Sequence, residues 1–481
     1  MTNTNRPHNT ELYKIVHDKI LEQIRTERLK RGDKIPSERN LCKEFGVSMI
    51  TVRKALDILA EKRVIEKHHG SGNYVREIKR VKVAFLVSED FDRPQLTEKM
   101  IRELNDTSNS FELIPYRLEN LSAFGIKHFL TENEMPTVIL TSSGINDMAK
   151  HDMLMPLERF KEFEEIIVDT PGSLDFRSMG HDGLVRHYSV PIFLNPTVFV
   201  VNTDLASKAS LPTDRGPADW AEMLEWCKKF DHWAKSENNG CLSTYSFSDR
   251  LASSHLSYLM MSLGGSVMSD SLDELASPGI GSFVTLLSKM ISDGYMTLLD
   301  HADAEEVEPF ISGNYLFYMS ALPEFVLKTE MYSTDFDFSV FPVPAKDSEE
   351  VPVSGVSSIR LCIAKMNAEE PFTREACWRA VRDLSLYAHL DGLASDMLVC
   401  PASVYSMRRQ ISRKKCCASF YECIPYYQLL PSSDLTNIKK SVFDSFLSLT
   451  LTKENALKIP LNQFLKAARR LSSAPALKSI F

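Results

Sequence analysis

The stretch from Ile35 to Val75, IPSERNLCKEFGVSMITVRKALDILAEKRVIEKHHGSGNYV, admits few folds. Pro36 and Ser37 open a helix, because a serine hydroxyl can accept from the free N–H groups of a first turn. Leu41, Cys42 and Phe45 make its inner stripe, and Gly46 ends it with the left-handed residue that a helix C-terminus favours. Val47 is then a buried turn residue, and Ser48 caps a second helix. There Val52, Ala55, Leu56 and Leu59 recur at helical spacing on one apolar face, while Met49, Ile50, Arg53, Lys54 and Asp57 occupy the other. Val64 to Lys67 and Asn73 to Arg76 bracket His68-His69-Gly70-Ser71-Gly72, a hairpin with glycines at its tip. Helix, glycine turn and helix make a helix-turn-helix, whose second helix normally enters the major groove of DNA. Upstream, Leu12 to Glu27 predicts a helix with Leu12, Ile15, Val16, Ile20 and Ile24 on one side, able to close a small core. Lys34-Ile35 is expected to pair with the hairpin as a short strand.

From Leu12 to Arg76 the chain resembles the winged helix-turn-helix of GntR-type bacterial transcription regulators. The residues that carry the resemblance are Gly32-Asp33-Lys34-Ile35-Pro36-Ser37-Glu38-Arg39, Gly46-Val47-Ser48, Thr51-Val52-Arg53-Lys54-Ala55-Leu56 and Gly70-Ser71-Gly72-Asn73-Tyr74-Val75. The resemblance implies that Arg39 and Arg53 contact DNA and that Thr51 meets a phosphate or base edge. It also places Gly70, at the wing tip, near the minor groove. Ser37, Ser48, Lys54 and His69 complete the expected DNA-binding set. The chain departs from the family after Ser48, where Met49 and Ile50 replace an arginine and a small polar residue. Neither can hydrogen-bond a base edge; either can touch a thymine methyl or pack on the neighbouring helix.

Residues 1–9 are polar and expected to be disordered. The DNA-binding domain spans 10–77, a basic linker 78–82, and a second domain 83–481. Val83 to Val87 reads as a buried strand, followed by a helix from Pro94 to Asn105, a strand from Phe111 to Tyr116, a helix from Ala123 to Glu132 and a strand from Pro136 to Leu140. This alternation predicts an α/β layer with parallel strands, whose carboxyl ends are where ligands bind. Thr141, Ser142 and Ser143 lie at such an end, as ligand-facing hydroxyls or as a capped loop.

From about Val81 to Ser406 the chain also resembles family 1 extracellular solute-binding proteins, the sugar receptors of ABC importers. The markers, in order, are Pro136-Thr137-Val138-Ile139-Leu140, Met153-Leu154-Met155-Pro156-Leu157, Tyr188-Ser189-Val190-Pro191-Ile192, Val198 to Leu205 and Pro217 to Leu224. Leu263-Gly264-Gly265, Phe310-Ile311-Ser312-Gly313, Phe341-Pro342-Val343-Pro344 and Cys400-Pro401-Ala402 continue the series. The resemblance implies two α/β lobes joined by crossover strands and closing on a solute. The candidate ligand-binding residues are Ser143, Asn195, Tyr245, Asp249, Tyr318, Ser320 and Ser354. Where that family often carries a sugar-stacking tryptophan, this chain has Leu322-Pro323-Glu324. Tyr245, Phe247 or Tyr318 is left to substitute or simply to fill core. Trp220 and Trp226 read as packing.

Charge divides the chain in the same place. Residues 1–80 hold 18 Lys and Arg against 11 Asp and Glu, leaving 38 against 53 in residues 81–481. A basic head on an acidic body confines DNA contact to the head. Nine cysteines without a secretory leader predict reduced thiols and a cytoplasmic protein, and Cys416, Cys417 and Cys423 fit no zinc spacing. No apolar run is long enough to span a membrane. No P-loop, GxSxG, HExxH or dinucleotide fingerprint is present, so neither enzyme activity nor a cofactor is expected. The basic run Arg408, Arg409, Arg413, Lys414 and Lys415 reads as a solvated helix face or a second DNA contact. The tail from Asn455 either closes the binding domain or pairs with a second subunit. The expected fold is α/β: a winged helix-turn-helix followed by a two-lobed solute-binding fold. The expected partners are a double-stranded DNA operator, a small effector (a sugar) and a second copy of the chain, with no membrane. The rival functions are a regulator whose receptor-like domain is only a dimerisation scaffold, and a transport receptor.

Overall fold

The computed structural model describes residues 9–25, 28–30, 32–61, 64–68, 70–76, 80–88, 94–118, 123–237, 243–248, 262–263, 278–299, 308–321, 335–389, 400–413 and 421–429. His69, Asp249, Cys416, Cys417, Lys414, Lys415 and the tail from Asn455 lie outside these residues. The chain divides into two compact units, Met1–Val81 and Lys82–Phe481.

In the first unit α1 (Asn9–Arg25), α2 (Glu38–Phe45) and α3 (Met49–Glu61) precede a hairpin of β1 (Ile65–His68) and β2 (Gly72–Val75). Ser37 caps α2, its hydroxyl accepting the Asn40 N–H at 3.3 Å. Gly46 closes the helix at φ 66°, with its own N–H on the Cys42 carbonyl. Ser48 repeats the device on α3, accepting the Thr51 N–H at 3.3 Å. One core joins the pieces: Val16 and Ile20 of α1 meet Leu41, Val52, Ala55, Leu56 and Leu59, with Ile65 and Val75 of the hairpin beneath. Full burial of each large side chain stabilises by roughly 1.5–3 kcal/mol, which is how so short a segment holds a fold. β1 and β2 run antiparallel from Ile65 opposite Val75 to His68 opposite Gly72. Lys34 bridges to Tyr74, and Ile35 N–H donates to the Asn73 carbonyl at 2.8 Å, so the expected pairing with the wing is present as an isolated bridge, while the wing sheet itself has two strands.

The second unit opens with β3 (Val81–Ser88), α4 (Pro94–Thr107), β4 (Phe111–Leu118), α5 (Ala123–Asn133) and β5 (Thr137–Thr141). β3 and β5 are parallel neighbours and β4 lies outside β3, as the alternation of the sequence requires. After α6 (Ile145–Lys150), α7 (Phe163–Ile167) and the short pair β6 (Ser178–Met179) and β7 (Val185–Arg186) comes β8 (Ser189–Asn202). This strand organises the unit. Its first half pairs antiparallel with β13 (Ser354–Ile363), from Val190 opposite Leu361 to Pro196 opposite Val356. Its second half pairs with β11 (Tyr315–Ala321) and β12 (Phe338–Phe341). Every β8 residue is buried except Asn195, which is half-buried at the changeover between the halves.

Beyond β8, Asn202 caps α8 (Thr203–Lys208), its side-chain oxygen accepting the Leu205 N–H at 3.0 Å. α9 (Trp220–Ser236) starts on Asp219, which accepts the Glu222 N–H at 2.7 Å. β9 (Ser243–Ser248) lies between β10 (Met296–Leu299) and β11, parallel to both. One core cluster under this half joins Phe199, Trp220, Trp226, Phe230, Phe283 and Phe317. A second, under the other half, joins Leu86, Ile139, Ile145, Met148 and Cys362. The two halves are thus α/β layers hung on one continuous strand, and a third cluster, which includes Leu194, Val200, Tyr318 and Val356, bridges them.

Candidate DNA-reading face and solute-binding unit

On α3 the apolar stripe is buried and the opposite face is open. Ile50 is 77% exposed, an unusual position for an isoleucine that only packs. Met49 beside it is half-buried. The Arg53 side chain is 63% exposed and its Nε donates to Glu38 Oε2 at 2.8 Å. Lys54 is exposed, with Nζ 4.3 Å from the centroid of the Tyr13 ring. Ser37 and Arg39 are exposed at the start of α2. Ser48 is exposed as well, but its hydroxyl is 2.8 Å from that of Thr51. Thr51 itself is 4% exposed, which corrects the expectation that it meets a phosphate or base edge: its side chain is spent on the cap of α3.

At the wing, Gly70 has φ 78° and Gly72 φ 110°, so both tip glycines sit where a side chain would be strained. Ser71 and Tyr74 hydroxyls are 2.7 Å apart, and His68 packs edge-on against Tyr74 with centroids at 5.0 Å. Lys67 pairs with Asp57, tying the wing to α3. Sequence reading named Glu38, Asp57, Lys67 and Tyr74 but not these partners. The charge pattern contained them, but their pairing is set by how α2, α3 and the wing meet.

The sugar candidates fare differently. Tyr318 is buried, stacked on Phe310 with centroids 5.5 Å apart, so it is core and not a sugar platform. Ser354 is fully buried and accepts the Val343 N–H at 3.2 Å, which also removes it from the binding set. Ser143 is half-buried in a capped loop: its N–H donates to Thr141 Oγ1 at 3.0 Å, and the Thr141 hydroxyl donates back to the Ser143 carbonyl at 2.8 Å. Asn195 is half-buried on β8 opposite Ser357 of β13. Tyr245 lies on β9 opposite Phe317, and Ser320 on β11 opposite Val198. Among the candidates whose side chains are described, Ser143 and Asn195 are half-buried, whereas Tyr318 and Ser354 belong to the core.

Trp220 and Trp226 are buried as packing residues, with Trp220 Nε1 donating to Ser262 Oγ at 3.1 Å. An open depression of about 440 Å3 lies along Ile167 to Arg177, with His187 in its wall. There Arg177 clamps Asp175 at 2.8 and 2.7 Å and holds its carboxyl below the usual range. Arg408 is exposed, whereas Arg409 lies 5.8 Å over the Tyr405 ring. Cys362, Cys377, Cys400 and Cys423 are buried, and burial pushes each thiol up to about 12, out of the range of nucleophiles at neutral pH. Among the described residues no cluster of three or more His, Cys, Asp or Glu could hold a metal, and no helix is long and apolar enough to cross a membrane.

Comparison with known proteins divides along the same line. The gntR family of bacterial regulatory proteins matches residues 12–75, and the family of bacterial extracellular solute-binding proteins matches residues 126–375. The mannosyl-D-glycerate transport/metabolism system repressor MngR of Escherichia coli (strain K12) is 42% identical over 107 residues, 22% of this chain and 42% of that protein. The HTH-type transcriptional regulator TreR of Bacillus subtilis (strain 168) is 35% identical over 100 residues, 21% of this chain and 41% of that protein. The chain therefore spans less than half the length of either relative. The cyclic alpha-maltosyl-1,6-maltose binding protein from Arthrobacter globiformis superimposes with a TM-score of 0.61 at 14% identity, over 82% of this chain and 98% of its own. At that identity the likeness is one of fold.

Proposed function

The chain belongs to the bacterial extracellular solute-binding protein family through residues 126–375 and carries a gntR-family head at residues 12–75; from this premise we propose that it is a DNA-binding transcription regulator that senses a small carbohydrate. The observation that carries the reading is the union, in one chain, of an open face on α3 that presents Ile50, Arg53 and Lys54 with a two-layered unit strung on β8. The head binds double-stranded DNA through Arg39, Arg53 and Lys54, with phosphates anchoring it and Ile50 and Met49 reading thymine methyls. Two copies of the chain supply two heads, because paired half-sites require a fixed separation. The protein acts in the cytoplasm, where its DNA lies, and turns over no substrate; its named relatives are regulators and binding proteins.

In the larger unit a solute draws the two layers together about β8 and β13. Closure shifts the equilibrium between two states of different operator affinity, by no more than the solute's preference for one of them. A carbohydrate is favoured by the names of the relatives: one regulator is named for mannosyl-D-glycerate and the structural neighbour for a maltosyl-maltose. The test is a thermal-shift panel of mono- and oligosaccharides, followed by DNA-binding anisotropy with and without each hit. A true effector at a hundredfold excess over its Kd stabilises by roughly 2.7 kcal/mol and changes DNA affinity. DNA binding indifferent to every solute sinks the sensing half.

The burial of Tyr318 and Ser354 favours a second reading, in which the larger unit serves only to dimerise. A stable dimer with a flat panel would select it.

A further inference from the structure

β13 carries an arginine in an unusual position. Arg360 is only 5% exposed, and among the described residues its guanidinium makes no hydrogen bond or ion pair; Nε is wholly buried without an acceptor. Across the sheet it stands opposite Thr141, the last residue of β5, and opposite Pro191 of β8. Two residues on, Cys362 stands opposite Ile139 and Ser189. Residues opposed across antiparallel strands share a face, so Arg360, Thr141, Cys362, Ile139 and Ser189 look the same way, toward the core that Ile139 and Cys362 share with Leu86, Ile145 and Met148. Ser189 is fully buried, and its hydroxyl too lacks a partner. The pairing of β13 with β8 is irregular between Ile359 and Arg360. Such irregularities re-aim a side chain, and they recur beside binding sites.

A guanidinium does not discharge when buried. Removal from water lowers the Arg360 pKa to about 10, which leaves it cationic at neutral pH. A buried cation without a counter-charge is costly to keep. Its planar fork matches carboxylate and phosphate oxygens in pairs. It stands opposite Thr141, the carboxyl end of β5, and the carboxyl ends of parallel strands are where α/β sheets bind ligands.

We propose that Arg360, with Ser189 on the same face, forms an oxyanion subsite in the larger unit, and that the solute this chain senses carries a carboxylate or phosphate group. The inference rests on reading that unit as a solute sensor. It narrows the solute from sugars in general to acidic or phosphorylated ones.

The test uses the full chain in a thermal-shift titration with D-glucose, D-glucuronate, D-glucose 6-phosphate and orthophosphate, and with the corresponding galactose and mannose series. Wild type is compared with Arg360→Met, a neutral side chain of similar reach. The expected result is a saturable rise in Tm with one or more anionic sugars and none with their neutral parents. Arg360→Met should melt cooperatively, at or above the wild-type temperature without solute, and lose the rise entirely. Which series responds separates carboxylate from phosphate. Orthophosphate alone raising the Tm, with Arg360→Met blind to it, supports the subsite and removes the sugar. An anion-dependent rise that survives in Arg360→Met, an Arg360→Met protein that melts lower or fails to fold, or no response to any anion overturns the subsite. A neutral sugar that shifts both proteins equally overturns the subsite and leaves the carbohydrate-sensor reading intact.

Discussion

Arg53 Nε donates to Glu38 Oε2 at 2.8 Å, so the guanidinium most expected to meet DNA is held by a carboxylate on the preceding helix. Both groups are solvent-accessible, and such a pair contributes about 0–1 kcal/mol to folding. Its effect is on direction. If α3 reads DNA as proposed, Glu38 pre-aims Arg53 and sets one negative charge beside the bound phosphates. Glu38→Gln should therefore tighten binding to random duplex a few-fold and narrow the ratio between a selected site and random DNA. Anisotropy titrations at two salt concentrations measure both. An unchanged ratio would mean that the pair does not orient Arg53.

Ile50 projects into solvent from α3, where folding gains nothing from it. Ile50→Ala should leave stability within about 0.5 kcal/mol of wild type. If the side chain covers a thymine methyl, its loss weakens binding to a selected duplex by about 0.8 kcal/mol per methylene removed from water. Replacing each thymine in that duplex by uracil, one at a time, locates the contact. At one position the wild type should fall to the affinity of the variant, and the variant should be unmoved.

Much of this architecture is legible without coordinates, for a physical reason. Ser37, Gly46 and Ser48 act locally, through capping and one left-handed residue, and the structure places all three as their chemistry predicts. β3 and β5 announce themselves as apolar runs because both of their faces are covered, whereas the edge strand β4 alternates. Binding residues carry no such period. Tyr318 and Ser354 are polar residue types on strands, and nothing nearby in sequence distinguishes a side chain turned to a cleft from one turned to a core. Arg360 escaped for the opposite reason: in SGVSSIRLCI an arginine reads as solvent-facing alternation, and only the pairing of β13 with both β5 and β8 buries it.

Gly46 holds φ 66°, and a Cβ built there meets nothing within 4 Å. Any cost of Gly46→Ala is therefore backbone strain alone, about 1 kcal/mol. It should appear as faster amide hydrogen exchange across residues 38–61, with exchange in the larger unit unchanged. Gly46→Asn, which tolerates the left-handed region better, should recover part of the loss. Equal damage from both would point to something other than φ.

Acid should loosen the start of α9 before neutral pH has any effect on it. Arg215 hydrogen-bonds both oxygens of Glu222 at 2.8 and 2.6 Å, and the Ala218 N–H adds a third bond at 2.7 Å. The Arg215 contact leads in holding the carboxyl at about 2, against 4.5 for a free glutamate. A depressed carboxyl stabilises the fold fully above its unfolded value and loses that contribution as pH falls toward the folded one. The window is thus about pH 4.5 down to 2, and nothing changes between pH 6 and 8 from this group. Arg215 is half-exposed, so screening reduces the gain to about 1 kcal/mol. Urea denaturation of wild type and Glu222→Gln, compared at pH 7 and at steps below pH 4.5, should show the variant weaker at pH 7 by that amount. The gap should close as acid protonates Glu222. A gap that persists undiminished near pH 2 would assign the stabilisation to packing of the glutamate stem rather than to its charge.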